Sequence, residues 1–232
     1  MKPIPSLPWP ALYEQLNLSG YAHIPDLLTR DECEELIAIY TDDQLYRNVI
    51  LMERYRFGKG EYKYFNYPLL PQITQIRTDF FTPLSVLANR WMTALSSKIE
   101  YPLDHSAFIE QCLAAKQTRP TPLILKYETG GFNTLHQDLY GDVYFPFQVV
   151  IVLTEPGRDH TGGELVFTDQ LPRAQSKATV VTPHQGDAVI FTTNFRPVQG
   201  TKGYYRARMK HGVSEVRSGK RYACGIIFHD AA

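Results

Sequence analysis

Three residues in the second half of the chain have the types and spacing to hold a metal ion. His136-Gln137-Asp138 sets an imidazole and a carboxylate two positions apart. On an extended segment, residues i and i+2 point to the same side, so both groups can reach one ion. A third ligand must come from elsewhere, and His211, in Lys210-His211-Gly212-Val213, is the best candidate. Two imidazoles and one carboxylate on one face suit ferrous iron and leave the other coordination positions open; all-thiolate ligation would instead favour zinc or iron–sulfur chemistry. The remaining histidines, His23, His105, His160, His184 and His229, read as surface or satisfied core groups.

Arg221 follows His211 in the run His211-Gly-Val-Ser-Glu-Val-Arg-Ser-Gly-Lys-Arg221. A turn at Ser218-Gly219 is expected to reverse the chain, laying the strand of Arg221 beside that of His211. This brings a guanidinium near the ion but not onto it. A keto diacid needs that arrangement. Its keto-carboxylate end chelates the metal, and its far carboxylate takes a forked cationic partner.

The elements that position these groups fall into two regions. Thr29-Arg30-Asp31-Glu32 has the pattern of a capping box, and Cys33, Leu36, Ile37 and Tyr40 recur behind it at helical spacing. Pro71 to Ser97 predicts a second helical region, interrupted or kinked at Pro83, and Ser106 to Lys116 a third helix. Between them, Glu53 to Tyr67 mixes aromatic and basic residues around glycines, which suits a strand pair or an exposed loop.

From Pro122 onward, short β-branched or aromatic runs alternate with turn residues. The runs are Leu123 to Tyr127, Phe147 to Thr154, Glu164 to Thr168, Ala178 to Thr182, Asp187 to Thr192, Tyr204 to Val213 and Arg221 to Phe228. Such regularity indicates a sandwich or barrel. The expected class is α+β. A helical and loop region, residues 1–121, supports a β core, residues 122–232, within one integrated domain.

Composition narrows the function. Lys plus Arg and Asp plus Glu both number 24, so the net charge is zero. That argues against a general electrostatic grip on nucleic acid or anionic membrane, though a local basic patch remains open. Cys33, Cys112 and Cys224 are far apart and form no CxxC pair. A disulfide framework or thiolate zinc site is not expected, and a reducing compartment is. The proline-rich start lacks the apolar run of a signal peptide, and no stretch is apolar enough to span a bilayer. The expectation is a cytoplasmic protein with no membrane partner.

HxD, a distant His and Val-x-x-Gly-x-Arg together resemble the 2-oxoglutarate/Fe(II)-dependent dioxygenase superfamily, in its prolyl-hydroxylase-like branch. A closer resemblance rests on His136-Gln-Asp-Leu-Tyr-Gly141, Glu155-Pro-Gly-Arg-Asp-His-Thr-Gly-Gly-Glu164, Arg196-Pro-Val-Gln-Gly200 and Gly225-Ile-Ile-Phe-His-Asp230, with Gly58-Lys-Gly-Glu-Tyr62 and Tyr67-Pro-Leu. These are similar to a bacterial family proposed to be nucleic-acid oxygenases. The resemblance implies a double-stranded β-helix, or jelly roll, with the N-terminal helices packed on one sheet. It implies Fe(II), 2-oxoglutarate and O₂ as cofactor and cosubstrates, His136, Asp138 and His211 as catalytic metal ligands, and Arg221 as the cosubstrate anchor. Tyr127 is similar in place to a tyrosine that bonds the cosubstrate in relatives, or is a core aromatic. The implied reaction hydroxylates a C–H bond while 2-oxoglutarate is decarboxylated to succinate. If the carbon is an N-methyl, the product collapses to formaldehyde and amine.

The substrate is less constrained. Arg54 to Tyr64 and Arg196 to Lys210 interleave basic and aromatic residues, so phosphate neutralisation and base stacking are possible there, with Arg206 and Arg208 as contacts. The same alternation also fits a strand with one buried and one solvated face. Tyr140, Asp142 and Tyr144 either line the substrate pocket or shape the next turn. A single-stranded or damaged nucleic-acid base is the first substrate reading. A prolyl or similar protein side chain is the second, because the spacing of Arg221 from His211 is shorter than in the nucleic-acid demethylase branch. A small-molecule hydroxylase, and a binding module that has lost iron, are the remaining alternatives.

Overall fold

The computed structural model describes residues 1–232. Helix α1 spans Trp9–Ser19 and is closed by Gly20 in the left-handed region. Helix α2, Arg30–Ala38, begins at the expected capping box: the Thr29 hydroxyl accepts from the Glu32 backbone N–H, and the Glu32 carboxylate accepts from the Thr29 N–H. Helix α3 spans Pro71–Ala94, and α4 spans His105–Ala114 behind an Asp104 cap.

Pro83 does not interrupt α3. An interior proline costs about 3 kcal/mol. Phe80, Phe81 and Leu84 beside it are fully buried, and each such burial contributes about 1.5–3 kcal/mol. Packing therefore outweighs the lost backbone bond.

The strands are β1 Tyr21–Ile24, β2 Tyr46–Leu51, β3 Gly58–Lys59, β4 Glu61–Phe65 and β5 Leu123–Glu128. Next come β6 Phe132–His136, β7 Phe147–Val152, β8 His160–Gly162, β9 Leu165–Gln170 and β10 Lys177–Val181. The last are β11 Ala188–Thr192, β12 Phe195–Gly200, β13 Gly203–Val213 and β14 Val216–Ile227. They form two antiparallel sheets. The larger runs β1-β11-β7-β14-β5-β4-β2, with β8 on the start of β14; the smaller runs β10-β9-β13-β6-β3, with β12 hairpinned onto β13. This is the expected jelly-roll core, and no helix is long and apolar enough to cross a membrane.

Side-chain alternation divides the large sheet into two faces. On β14, Cys224 and Ile226 join Ile73, Phe80, Leu84 and Trp91 in the main core, so the helices cover the outer face. Arg221, Ala223, Gly225 and Ile227 line the space between the sheets. The region before Pro122 supplies more than helices and loops: β1, β2 and β4 extend the large sheet, and β3 extends the small one. The aromatic and basic segment around Glu53 resolves into the short helical turn Met52–Tyr55 followed by β3 and β4.

One sequence expectation is corrected. The chain does not reverse at Ser218-Gly219; β14 runs straight through those residues, with Gly219 at φ 79° packed against the Asp159 carbonyl. The reversal comes earlier, between Val213 and Val216, and it changes sheets. His211 sits in the small sheet between β9 and β6, whereas Arg221 sits in the large sheet, paired with Tyr127 of β5. The two side chains meet across the interior rather than along one hairpin.

Candidate active site

His136 ends β6, and His211 lies directly opposite on β13. Cross-strand pairing sets their ring centroids 4.2 Å apart. Asp138 follows on the loop beyond β6 and is buried. Its Oδ1 lies 3.5 Å from His136 Nε2, and its Oδ2 lies 3.2 Å from His211 Nε2. One ligand atom from each residue falls within 4.8 Å of the others, the span of a single coordination sphere.

The surrounding bonds fit a cation. His136 Nδ1 faces the Thr134 carbonyl at 2.7 Å, a contact that places the proton on Nδ1 and leaves Nε2 as a lone-pair donor. Burial and the neighbouring His136 hold the His211 pKa below its ordinary value, which favours the neutral, ligating imidazole. Burial pushes the Asp138 carboxyl upward, but the His211 bond, the charge of His136 and the Tyr140 bond outweigh it and keep it ionised. The Gln148 amide comes within 3.1 Å of His211 Nε2, and its buried Oε1 has no partner in the protein. The donor set and its supporting bonds therefore fit Fe(II) or a similar divalent ion.

These groups border a cavity of about 200 Å³ between the sheets. Arg221 enters from the opposite sheet. It is 2% exposed, and neither a carboxylate nor any other acceptor in the protein bonds its guanidinium. Burial lowers its pKa from the usual arginine value, opposed by Tyr127 and Glu164, and a guanidinium stays a cation in proteins. Tyr127, opposite Arg221 in register, presents its ring 5.7 Å from the guanidinium carbon, and its hydroxyl accepts from Asn133 Nδ2 at 3.3 Å. Burial raises its phenol to about 12, so it stays protonated. Small residues permit this packing. A Cβ on Gly163, whose φ is 71°, would come 2.7 Å from Arg221 Cδ, and one on Gly60 would come 2.9 Å from Tyr127.

The cavity unites His136, Asp138, His211, Arg221, Tyr127 and Tyr140. Tyr140 is spent on the metal group, since its hydroxyl donates to Asp138 Oδ1 at 2.6 Å. Asp142, Arg206 and Arg208 lie outside the cavity lining. Arg206 stacks on Phe195, 5.0 Å from the ring, and with Arg208 forms the solvated face of the β12–β13 hairpin, while Ala207 and Met209 are buried. Asn133, Gln148, Phe57, Tyr62 and Tyr64 line the cavity without having been singled out individually from sequence. Two of the other histidines are also less satisfied than expected: His160 and His229 are buried, each with an unpartnered Nε2.

The Oxygenase-NA family, described as an oxygenase catalysing oxidative methylation of damaged DNA, matches the chain over residues 60–231. The chain belongs to this family. A relative in Mycobacterium tuberculosis, the uncharacterized protein Rv2227, is 44% identical over 165 residues, covering 71% of this chain and 71% of that protein. Among solved structures, a Pseudomonas putida prolyl-4-hydroxylase aligns at TM-score 0.54 with 16% identity, over 97% of this chain and 99% of that one. A Trichoplax adhaerens prolyl hydroxylase, solved with a hypoxia inducible factor peptide fragment, aligns at 0.58 with 15% identity, over 96% and 89%. A Burkholderia pseudomallei oxidoreductase of the 2-oxoglutarate/Fe(II) oxygenase family aligns at 0.53 with 16% identity, over 98% and 94%. These likenesses establish the shared jelly-roll fold. This Oxygenase-NA chain is thus an oxygenase, and its His-Asp-His group has the donor set for a divalent metal ion.

Proposed function

We propose that the enzyme hydroxylates a C–H bond on a nucleic-acid base and converts 2-oxoglutarate to succinate in the same cycle. The observation that carries the reading is the buried, unpaired guanidinium of Arg221 facing the same small cavity as His136, Asp138 and His211. A buried cation without an anion is costly, and a dicarboxylate ligand removes that cost. Fe(II) bound at the triad would supply O₂ activation coupled to decarboxylation of the keto acid.

The chain's own residues bind, orient and exclude water. Asp138, kept ionised, and the Nε2 atoms of His136 and His211 would hold the ion at the wall of the cavity. Arg221 receives the far carboxylate of 2-oxoglutarate in a forked, charge-assisted bond, and the protonated Tyr127 hydroxyl donates a second. Leu125, Val150, Leu165 and Phe191 wall the cavity with apolar groups and keep water from the reacting centre. Tyr62 and Tyr64 offer ring faces on which an unstacked base can lie. The family description, which names damaged DNA, supports this substrate class.

The test is a succinate-release screen on the purified enzyme with Fe(II), 2-oxoglutarate and O₂. Single-stranded oligonucleotides carrying N-methylated bases, proline-containing peptides and free amino acids would be compared, with mass analysis of products. Oligonucleotide-stimulated turnover and a +16 Da or demethylated base is the expected result, the 16 being about the mass of one inserted oxygen atom. Stimulation by peptides alone would move the substrate to protein. Succinate release by His136→Ala or Asp138→Ala at the wild-type rate would remove the triad assignment.

A further inference from the structure

A second concavity, of about 500 Å³, is bordered by Arg47, which packs on the Tyr64 ring, and plays no part in the chemistry above. Arg47, Asn48, Asn66, Thr118 and Arg119 line it, with Tyr67 and Pro120. We propose that this groove is a phosphate-binding site, built on Arg47 and Arg119, that holds a phosphate group of the substrate beside the oxidising cavity. Its extension to a nucleic-acid strand rests on the proposed substrate reading; the groove's affinity for phosphate does not.

The backbone is shaped to aim Arg47. Strand β2 pairs with β4 through Tyr46↔Phe65 and Asn48↔Tyr64, so Arg47 is the extra residue of a β-bulge. Bulges re-aim a side chain, and they recur next to active sites. Here the Nε of Arg47 donates to the Pro120 carbonyl at 2.9 Å, and the guanidinium carbon sits 4.4 Å from the centroid of the Tyr64 ring. One edge and one face are therefore fixed. The two terminal nitrogens have no acceptor in the protein and border the groove.

Arg119 is placed independently. Its backbone forms a two-bond bridge with Ala231, at 3.0 and 2.8 Å, while its side chain is exposed. Neither arginine has a carboxylate partner. Asp230, behind the groove, is tied to Arg77 at 2.7 Å and to the Tyr67 hydroxyl at 2.8 Å. Burial lowers the Arg47 pKa and Tyr64 opposes it; the like charge of Arg119 lowers it further, while Asp230 and Tyr140 raise it. Arg47 and Arg119 line one groove, neither forms an ion pair, and the charge of each opposes the other. A tetrahedral oxyanion accepts from both forks at once and removes the repulsion.

Tyr64 is shared between the two sites. One face carries Arg47, and the ring also lines the oxidising cavity. Arg47, which lines the groove, thus packs on a ring that lines the cavity where a base would enter. Phosphate contacts of this kind set register, while the cavity reads the base.

The experiment uses the full chain, wild type and the variants Arg119→Ala and Arg47→Lys. Inorganic phosphate binding is followed by calorimetry, and binding of a fluorescent single-stranded oligonucleotide by anisotropy across a salt series. Arg119 is exposed, so its variant is expected to melt like the wild type. Each variant is expected to weaken binding about tenfold, and Arg119→Ala to reduce the log–log salt slope for the oligonucleotide by about 1. Weakened oligonucleotide binding with the shallower slope supports a strand phosphodiester, whether or not inorganic phosphate alone binds strongly enough to register. Weakened phosphate binding, in a wild type that ignores oligonucleotides, retains the groove for a free phosphate-bearing molecule and removes the nucleic-acid reading instead. Variants that bind both ligands as the wild type does, or a wild type that binds neither, overturn the site.

Discussion

The Tyr140 hydroxyl donates to Asp138 Oδ1 at 2.6 Å, while Oδ2 of the same carboxylate lies 3.2 Å from His211 Nε2. Oδ1 is thereby held by Tyr140 beside His136, and Oδ2 faces His211. Outer partners of this kind orient a metal ligand and typically change affinity by about 10–100-fold when lost. Tyr140→Phe is therefore expected to weaken binding of Mn(II), used as a redox-inert substitute for Fe(II), by at least about tenfold. Calorimetry under argon measures it. An unchanged affinity would assign Tyr140 to the cavity wall alone.

Arg221 makes stability and activity oppose each other. Its guanidinium is buried without an ion pair, Glu164 acting on it only at a distance. An apolar replacement of similar length removes that desolvation cost, so Arg221→Met is expected to stabilise the ligand-free chain by about 1–4 kcal/mol. The same change removes the fork for the far carboxylate and should raise the KM for 2-oxoglutarate by at least about a hundredfold. Thermal melts and a succinate assay across 2-oxoglutarate concentrations read the two effects. A lower melting temperature with an unchanged KM would show that Arg221 is a structural cation.

Gly163 tests the same anchor without touching its charge. At φ 71°, an alanine here is strained, and its Cβ would lie 2.7 Å from Arg221 Cδ. Gly163→Ala should cost about 1 kcal/mol in stability and push the guanidinium out of line, raising KM more than it lowers kcat. A fall in kcat with constant KM would place the disturbance at the metal instead.

The metal group was legible because its three residue types are chemically distinctive and His136 and Asp138 are neighbours in sequence. The residue type of Arg221 was legible too, but its route was not. A local turn at Ser218-Gly219 was the economical reading, whereas strands in this fold alternate between sheets, so that His211 and Arg221 belong to opposite walls. Asn133 and Gln148 were silent because neutral amides on strands act only through position, and position depends on pairing between distant segments. Arg206 and Arg208 are ambiguous for the converse reason. Basic residues alternating with Ala207 and Met209 have the pattern of a nucleic-acid stripe and of an ordinary half-buried strand, and their exposure beside buried Ala207 and Met209 fits both. The bulge at Arg47 left no sequence signature at all.

Acid sensitivity follows from two histidines far from solvent. His105 bonds the Phe228 carbonyl through Nε2, at 3.0 Å, and His229 Nδ1 accepts from the Phe145 N–H. Burial first, and then the charge of Arg77, depress each to about 4 from the ordinary 6.5. The folded state therefore holds both neutral, while the unfolded chain protonates them near pH 6.5. Their contribution to stability is intact above pH 6.5 and is lost progressively as pH falls toward 4, by about 3 kcal/mol for each. Urea unfolding between pH 7.5 and 4.5 measures the decline. His105→Asn removes one titrating group and keeps a donor for the Phe228 carbonyl, so its stability should fall less steeply over that window than the wild type's. Parallel pH profiles for the two proteins would mean that His105 takes up its proton alike in both states and that the decline arises elsewhere.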